Sequence, residues 1–118
     1  MGDVENIRDW RGKDVLDGGG DKIGTMEDVY FDSETDEPRF LCVRAGKLRH
    51  HNVLVPTAGV TASPEHLTVT VSKDVVKDAP TVEAGSELSA EYEERLFRYY
   101  GLEYHVGQTP GGRRLVRR

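Results

Sequence analysis

The sequence predicts a mainly β fold: a small barrel of five to six short antiparallel strands, with a short helical turn and one C-terminal helix. Three observations predict it. The stretch Asp21–Gly46 reads as two apolar arms folded back on each other across the acidic, proline-closed turn Asp32–Pro38. Leu67-Thr68-Val69-Thr70-Val71 alternates strictly, with Leu67, Val69 and Val71 on the buried face. The connections between the apolar runs are rich in glycine, with no helical pattern between them.

Taken in order, residues 1–9 are polar and expected to be flexible. Trp10 heads a first short strand and is expected to plug a barrel end or cover a core edge. Gly18-Gly19-Gly20-Asp21 makes a tight turn. In the first arm of the hairpin, Ile23, Met26, Val29, Tyr30 and Phe31 do not keep a period of two, and Gly24 interrupts them. A bulge or bend at Gly24 accounts for both. Phe40, Leu41, Cys42 and Val43 fill the second arm. Asn52–Pro56 is a further strand, ended by its proline. Asp74 is expected to cap a short helical turn, Val75–Asp78, that Pro80 ends. After a linker, Ser89 caps a helix with Glu91, Glu93 and Glu94 early and Arg95 and Arg98 late, the order the helix dipole favours. Tyr92, Leu96 and Tyr99 form its apolar stripe, with Phe97 and Tyr100 beside it, and Gly101 stops it. From Glu103 on, the chain is glycine-rich, polar and finally basic, and is expected to be disordered.

Composition narrows the functional classes. At 118 residues, with 36% hydrophobic and 31% charged side chains, the chain suits one soluble domain with a modest core. No run reaches the roughly 20 apolar residues of a spanning helix, and the N-terminus lacks the apolar core of a signal peptide, so a cytoplasmic location is expected. The single cysteine, Cys42, excludes an internal disulfide and reads as a small buried hydrophobe. The formal charge is −5, yet Arg113, Arg114, Arg117 and Arg118 crowd the C-terminus of an otherwise acidic body.

With the order of elements in view, residues 10–102 resemble the PRC-barrel family in its stand-alone bacterial branch. The resemblance rests on Gly12-Lys13-Asp14-Val15, then Lys22-Ile23-Gly24 with Met26, Asp28, Val29, Tyr30 and Asp32. It continues through Pro38-Arg39-Phe40, Val43-Arg44, Val55-Pro56, Lys73–Pro80 and Leu96–Leu102. These motifs are structural rather than catalytic. Taken with the chain's own pattern, they give a barrel over residues 10–80; pattern and composition alone add a linker and C-terminal helix over 81–102 and a disordered basic tail over 103–118. The resemblance also implies a module that docks onto other macromolecules and is associated with stress in related stand-alone proteins. A component of the photosynthetic reaction centre and a bacterial ribosome maturation factor carry the same barrel.

No pattern of residues predicts an enzyme or a cofactor. Asp32-x-Glu34-x-Asp36 opens like a calcium loop but has Glu37 and Val43 where an EF-hand needs glycine and glutamate. It reads as a solvated turn. His50, His51, His66 and His105 make no metal-ligand spacing, and adjacent His50 and His51 face opposite ways on an extended chain. Gly18-Gly19-Gly20 joins strands and does not open a helix, so it is no phosphate cradle. The candidate interaction surface is therefore Tyr92, Leu96 and Tyr99 on the helix, with Arg113, Arg114, Arg117 and Arg118 in the tail. The expected function is a non-enzymatic, homodimeric module that binds a protein partner. The alternatives are an RNA- or ribosome-associated factor, touching nucleic acid only through the tail, and a barrel that binds a small ligand.

Overall fold

A computed structural model describes residues 9–46, 50–83, 87–104 and 112–117. The elements are β1 (Asp14–Leu16), β2 (Lys22–Asp32), β3 (Pro38–Ala45), β4 (His51–Pro56), β5 (Thr61–Ala62), β6 (His66–Thr68), α1 (Lys73–Lys77), β7 (Thr81–Val82), α2 (Ala90–Tyr99) and β8 (Leu115–Arg117). They build one sheet in the order β5-β6-β1-β2-β3-β4-β7, with β8 added beside β2. The mainly β class stands, with two corrections of detail. Among the described residues eight strands replace five or six, because two-residue β5 and β7 and the C-terminal β8 carry no periodic signal. The pairing of β1 with β6 is parallel. Among the described residues β5 does not pair with β7, so the sheet curls without closing.

The curl shows in the core. Val15 of β1, Leu67 of β6, Leu41 and Val43 of β3 and Val53 and Val55 of β4 meet in one cluster with Trp10, Ile23, Met26, Val29 and Phe31. Trp10 is buried there, as expected of a residue covering a core edge. Two bulges explain the broken period of β2. Against β1, Val15 pairs with Gly24 but Leu16 with Lys22, leaving Ile23 extra. Against β3, Met26 pairs with Val43 but Asp28 with Cys42, leaving Glu27 extra. Each extra residue switches the parity of the faces, so Ile23, Met26, Val29 and Phe31 all point inward. Gly24 serves close packing rather than the bend itself: a Cβ there would lie 2.1 Å from the Arg44 carbonyl oxygen.

Strands β3 and β4 are buried on both faces. Leu41, Val43, Val53 and Val55 face the curled core, whereas Phe40, Cys42 and Leu54 face outward into a second apolar cluster. The unbroken runs Phe40–Val43 and Val53–Pro56 carry this in the sequence, since a strand covered on both sides has no polar face. Val69 is buried and sends its N–H to the Leu16 carbonyl at 2.9 Å, although regular pairing of β6 ends at Thr68.

The helix ends follow local chemistry. Ser72, not Asp74, caps α1, its hydroxyl accepting the Val75 N–H at 3.2 Å; Asp74 sits in the first turn, where a carboxylate meets the helix dipole. Asp17 holds α1 against the glycine turn by accepting the N–H groups of Lys73, Asp21 and Gly19. These bonds, that from Lys73 foremost, keep its carboxyl below the usual value. Ser89 caps α2 by accepting the Tyr92 N–H at 3.0 Å. At the other end Gly101, with φ 71, lets Leu102 donate to the Phe97 carbonyl and Gly101 to the Arg98 carbonyl, a Schellman closure.

Candidate functional site

Of the residues singled out as an interaction surface, those the structure describes gather in one place, on the outer face of β2, β3 and β4, and Leu96 and Arg113 among them are buried. Leu96 is fully buried against Phe40, Cys42 and Leu54. Tyr92 is partly buried and donates its hydroxyl to the Pro80 carbonyl at 2.9 Å. Tyr99 is 38% exposed, lies edge-on to Tyr100, and donates to the Val75 carbonyl. The inward face of α2 is Glu93, Leu96 and Phe97, with half-buried Tyr92 and Tyr100 packed beside them. Of the expected stripe, Leu96 and Tyr92 pack on the barrel, and Tyr99 is the exposed member. Glu93 takes an inward position that no apolar pattern assigns to a carboxylate.

Glu93 can be buried because the C-terminal segment satisfies it. Its Oε2 accepts the Arg114 Nε–H at 3.1 Å and the Leu115 N–H at 3.0 Å, and its Oε1 accepts the Tyr104 hydroxyl at 3.3 Å. Arg114 also donates to the Leu88 carbonyl. Charge and geometry here offset the desolvation of a fully buried carboxylate.

The basic tail is corrected accordingly. Within the stretch expected to be disordered, Leu115–Arg117 is β8, paired antiparallel to Tyr30–Asp32. The Ser33 N–H donates to the Arg114 carbonyl and the Arg114 N–H to the Ser33 hydroxyl, extending that ladder by one residue. The acidic body supplies the reason. Arg113 is buried 3.7 Å from Asp32 and lies over the rings of Phe97 and Tyr104, each 5.0 Å away. Arg114 meets Glu93, and Arg117 meets Asp28 at 3.3 Å. Arg118, His105 and the rest of 105–111 fall outside the described residues. Three of the four arginines proposed to reach nucleic acid are thus tied to carboxylates of their own chain.

Asp32 also departs from the solvated turn expected of it. It is buried, its Oδ1 accepts the Glu34 and Thr35 N–H groups, and its Oδ2 faces Arg113 and Arg39. Its oxygens serve the turn and the arginines rather than a cation. Among the described residues no cluster of histidine, cysteine or carboxylate side chains could hold a metal. Burial raises the Cys42 thiol to about 12 and the Tyr30 phenol to about 12, and raises Tyr92 and Tyr100 as well. All four are therefore neutral at ordinary pH, and Cys42 is a packing residue.

What remains open beside this layer is a cleft of about 440 Å³ next to β8. Tyr30, Leu88, Leu115 and Val116 give it apolar walls, and Glu87, Arg114 and Arg117 bring charge to it. None of its lining except the arginines stands out in the sequence. Glu87 and Leu88 sit in what reads as a linker, and only the docking of β8 turns them toward a cavity.

Fold and site together define a small curled β-barrel, buttressed on its outer face by a helix and a returning C-terminal strand. A family model, that of the PRC-barrel domain, matches residues 2–76. The chain belongs to the PRC-barrel domain family. No curated protein matches it.

Proposed function

We propose that the protein is a non-enzymatic binding module that docks a protein partner in the cleft beside β8. The observation that supports this reading is the cleft's mixed character, apolar at Tyr30, Leu88, Leu115 and Val116 and charged at Glu87, Arg114 and Arg117. A polar rim around an apolar centre is the usual composition of a protein-docking surface. The nucleic-acid alternative is weaker, because Arg113, Arg114 and Arg117 already neutralise Asp32, Glu93 and Asp28. The homodimer expected through α2 loses its motive too, since one chain covers the apolar face of that helix by itself. Sedimentation at micromolar concentration decides whether another face pairs.

The docking test is a charge reversal at the rim. Deleting the tail would be uninformative, because it removes β8 and the partners of Glu93 and Asp32. Glu87 is exposed, so Glu87→Arg alters the rim and spares the core. The proteins recovered from a host lysate on wild-type bait should be lost on the variant, with its melting temperature nearly unchanged. Identical recovery on both baits would remove the cleft from the docking reading.

A further inference from the structure

At the other end of β2 a second cleft, of about 620 Å³, gathers four basic side chains: Lys22, Arg44, His50 and Lys73. The topology brings them together. The start of β2 lies against the end of β3, with Thr25 opposite Arg44, and the close approach at Gly24 fixes the Arg44 backbone. Asp17 pins the first residue of α1, Lys73, to the same end through its N–H at 2.8 Å. Among the described residues no aspartate or glutamate lines the cleft, in a chain whose formal charge is −5.

Compensation of these side chains is partial: beside the Lys73 N–H bond, the Lys73 charge acts on the Asp17 carboxylate and helps to hold its carboxyl low. Among the described residues, the side chains of Arg44 and Lys73 have no carboxylate within salt-bridge distance. The ion pair of Lys22 is with Asp14 at 3.2 Å, both half-exposed and so largely screened. Arg44 instead places its Nη2 2.7 Å from His50 Nδ1. A guanidinium donating to an imidazole nitrogen is held in place without being neutralised. The site is thus a positive concavity that an anion would complete.

A neighbouring cavity of about 430 Å³ shares Ile23, Gly46 and Lys73 with the first. Its walls include apolar Ile23 and Val76, with Asp21 and Asp74 balanced by Lys73 and Lys77. Each cavity falls within the roughly 300–1,000 Å³ of ordinary ligand pockets. The carboxylates accept hydrogen bonds from hydroxyls, and the apolar wall suits an uncharged body. We propose that this end of the barrel binds a small phosphomonoester. Its phosphate sits among Lys22, Arg44 and Lys73, and its uncharged body lies toward Ile23 and Val76. This site is distinct from the cleft beside β8 and does not depend on it.

The test titrates the full chain at low salt with adenosine monophosphate, with adenosine, and with a single-stranded RNA oligonucleotide, following backbone amide shifts and heat. Adenosine monophosphate should bind and shift the amides of Thr25 and Gly46, and adenosine should bind far more weakly. Arg44→Ala and Lys73→Ala should each weaken the affinity about tenfold or more, the loss expected of a charge-assisted contact. Both side chains are exposed, so their removal leaves the core intact. Arg98→Ala, on α2, should change nothing. No amide shifts at millimolar nucleotide, or equal binding by wild type, Arg44→Ala and Lys73→Ala, would overturn the site. Tighter binding of the RNA through the same two residues would replace the small ligand by nucleic acid.

Discussion

The two faces of β3 and β4 are buried by different means. The inner face closes on a cluster of aliphatic and aromatic side chains drawn from Trp10 to Val76, nearly all within the family-matched segment. The outer face is covered by α2, Leu88 and Leu115, which lie beyond it. The inner core is a product of strand pairing, where the backbone ladder fixes what meets. The outer core is assembled from segments distant in sequence, and it is pinned by ions: Glu93 to Arg114, Asp32 to Arg113, Asp28 to Arg117. A sheet can hold an inner core by geometry alone. Fixing a ten-residue helix and a three-residue strand on its back takes directional bonds as well, because neither element persists alone.

If that difference is real, damage should spread differently from the two sides. The largest effect is expected inside. Val69 is 1% exposed and packs in the curled core. Val69→Asp buries an unpaired carboxylate there, at a cost of several kcal/mol that approaches the ~5–15 kcal/mol total stability of a small domain. The variant should lose its cooperative melt and its near-ultraviolet dichroism, since an unfolded barrel leaves α2 nothing to pack on. Wild-type melting would place Val69 outside the core.

An intermediate effect is expected on the outer side. Leu96 is fully buried, and Leu96→Ala should cost about 2–5 kcal/mol, the range for deleting most of a buried leucine. The loss should be the same at every protein concentration, because the leucine packs on its own chain. Amide exchange should quicken in α2 and β8 and stay slow in the β2–β3 hairpin, which the inner core still holds. A melting temperature that falls further on dilution would mean that α2 contributes to a contact between copies.

The same contrast sets what the sequence discloses. The alternation of Leu67 and Val69 and the bulky arms of the hairpin fix the inner core, since period two is a local property of the chain. The broken period of β2 signals its bulges, although it places them only near Gly24; Ile23 and Glu27 emerge as the extra residues once β1 and β3 are paired. The outer core is half legible. The runs Phe40–Val43 and Val53–Pro56 announce a second covered face, but not what covers it. Burial of Glu93 has no local signature, because its partners are 11, 21 and 22 residues away. Hydrophobic periodicity therefore assigns the helix face to Tyr92, Leu96 and Tyr99, gives Glu93 no place on it, and reads the arginines as a free tail. Only the excess of acid over base in the body hints that a basic segment returns to it. The basic cleft is illegible for a similar reason, since Lys22, Arg44, His50 and Lys73 form no motif until three strands and a helix end are in place.

The smallest effect separates charge from geometry at the point where α2 and β8 join. Glu93→Gln keeps the shape of the side chain. With its carbonyl oxygen in the place of Oε2, it still accepts from Arg114 and from the Leu115 N–H. Its amide can then donate to the Tyr104 hydroxyl, which rotates to accept. What is lost is the charge, so the cost should be about 1 kcal/mol, the difference between a charged and a neutral hydrogen bond. Glu93→Ala removes the acceptors altogether and strands the Leu115 N–H. It should cost about 2–3 kcal/mol, less than a fully buried ion pair because the Arg114 side chain is 39% exposed. Protection of the Leu115 amide against exchange reads the two cases apart: retained in the Gln variant, lost in the Ala variant, with the hairpin amides unchanged in both. If Gln proves as damaging as Ala, the anion itself holds β8, and the outer layer would come loose wherever Glu93 is neutralised. If neither variant changes the Leu115 amide, the strand is held by its ladder with β2, and the two faces differ less than their ion pairs suggest.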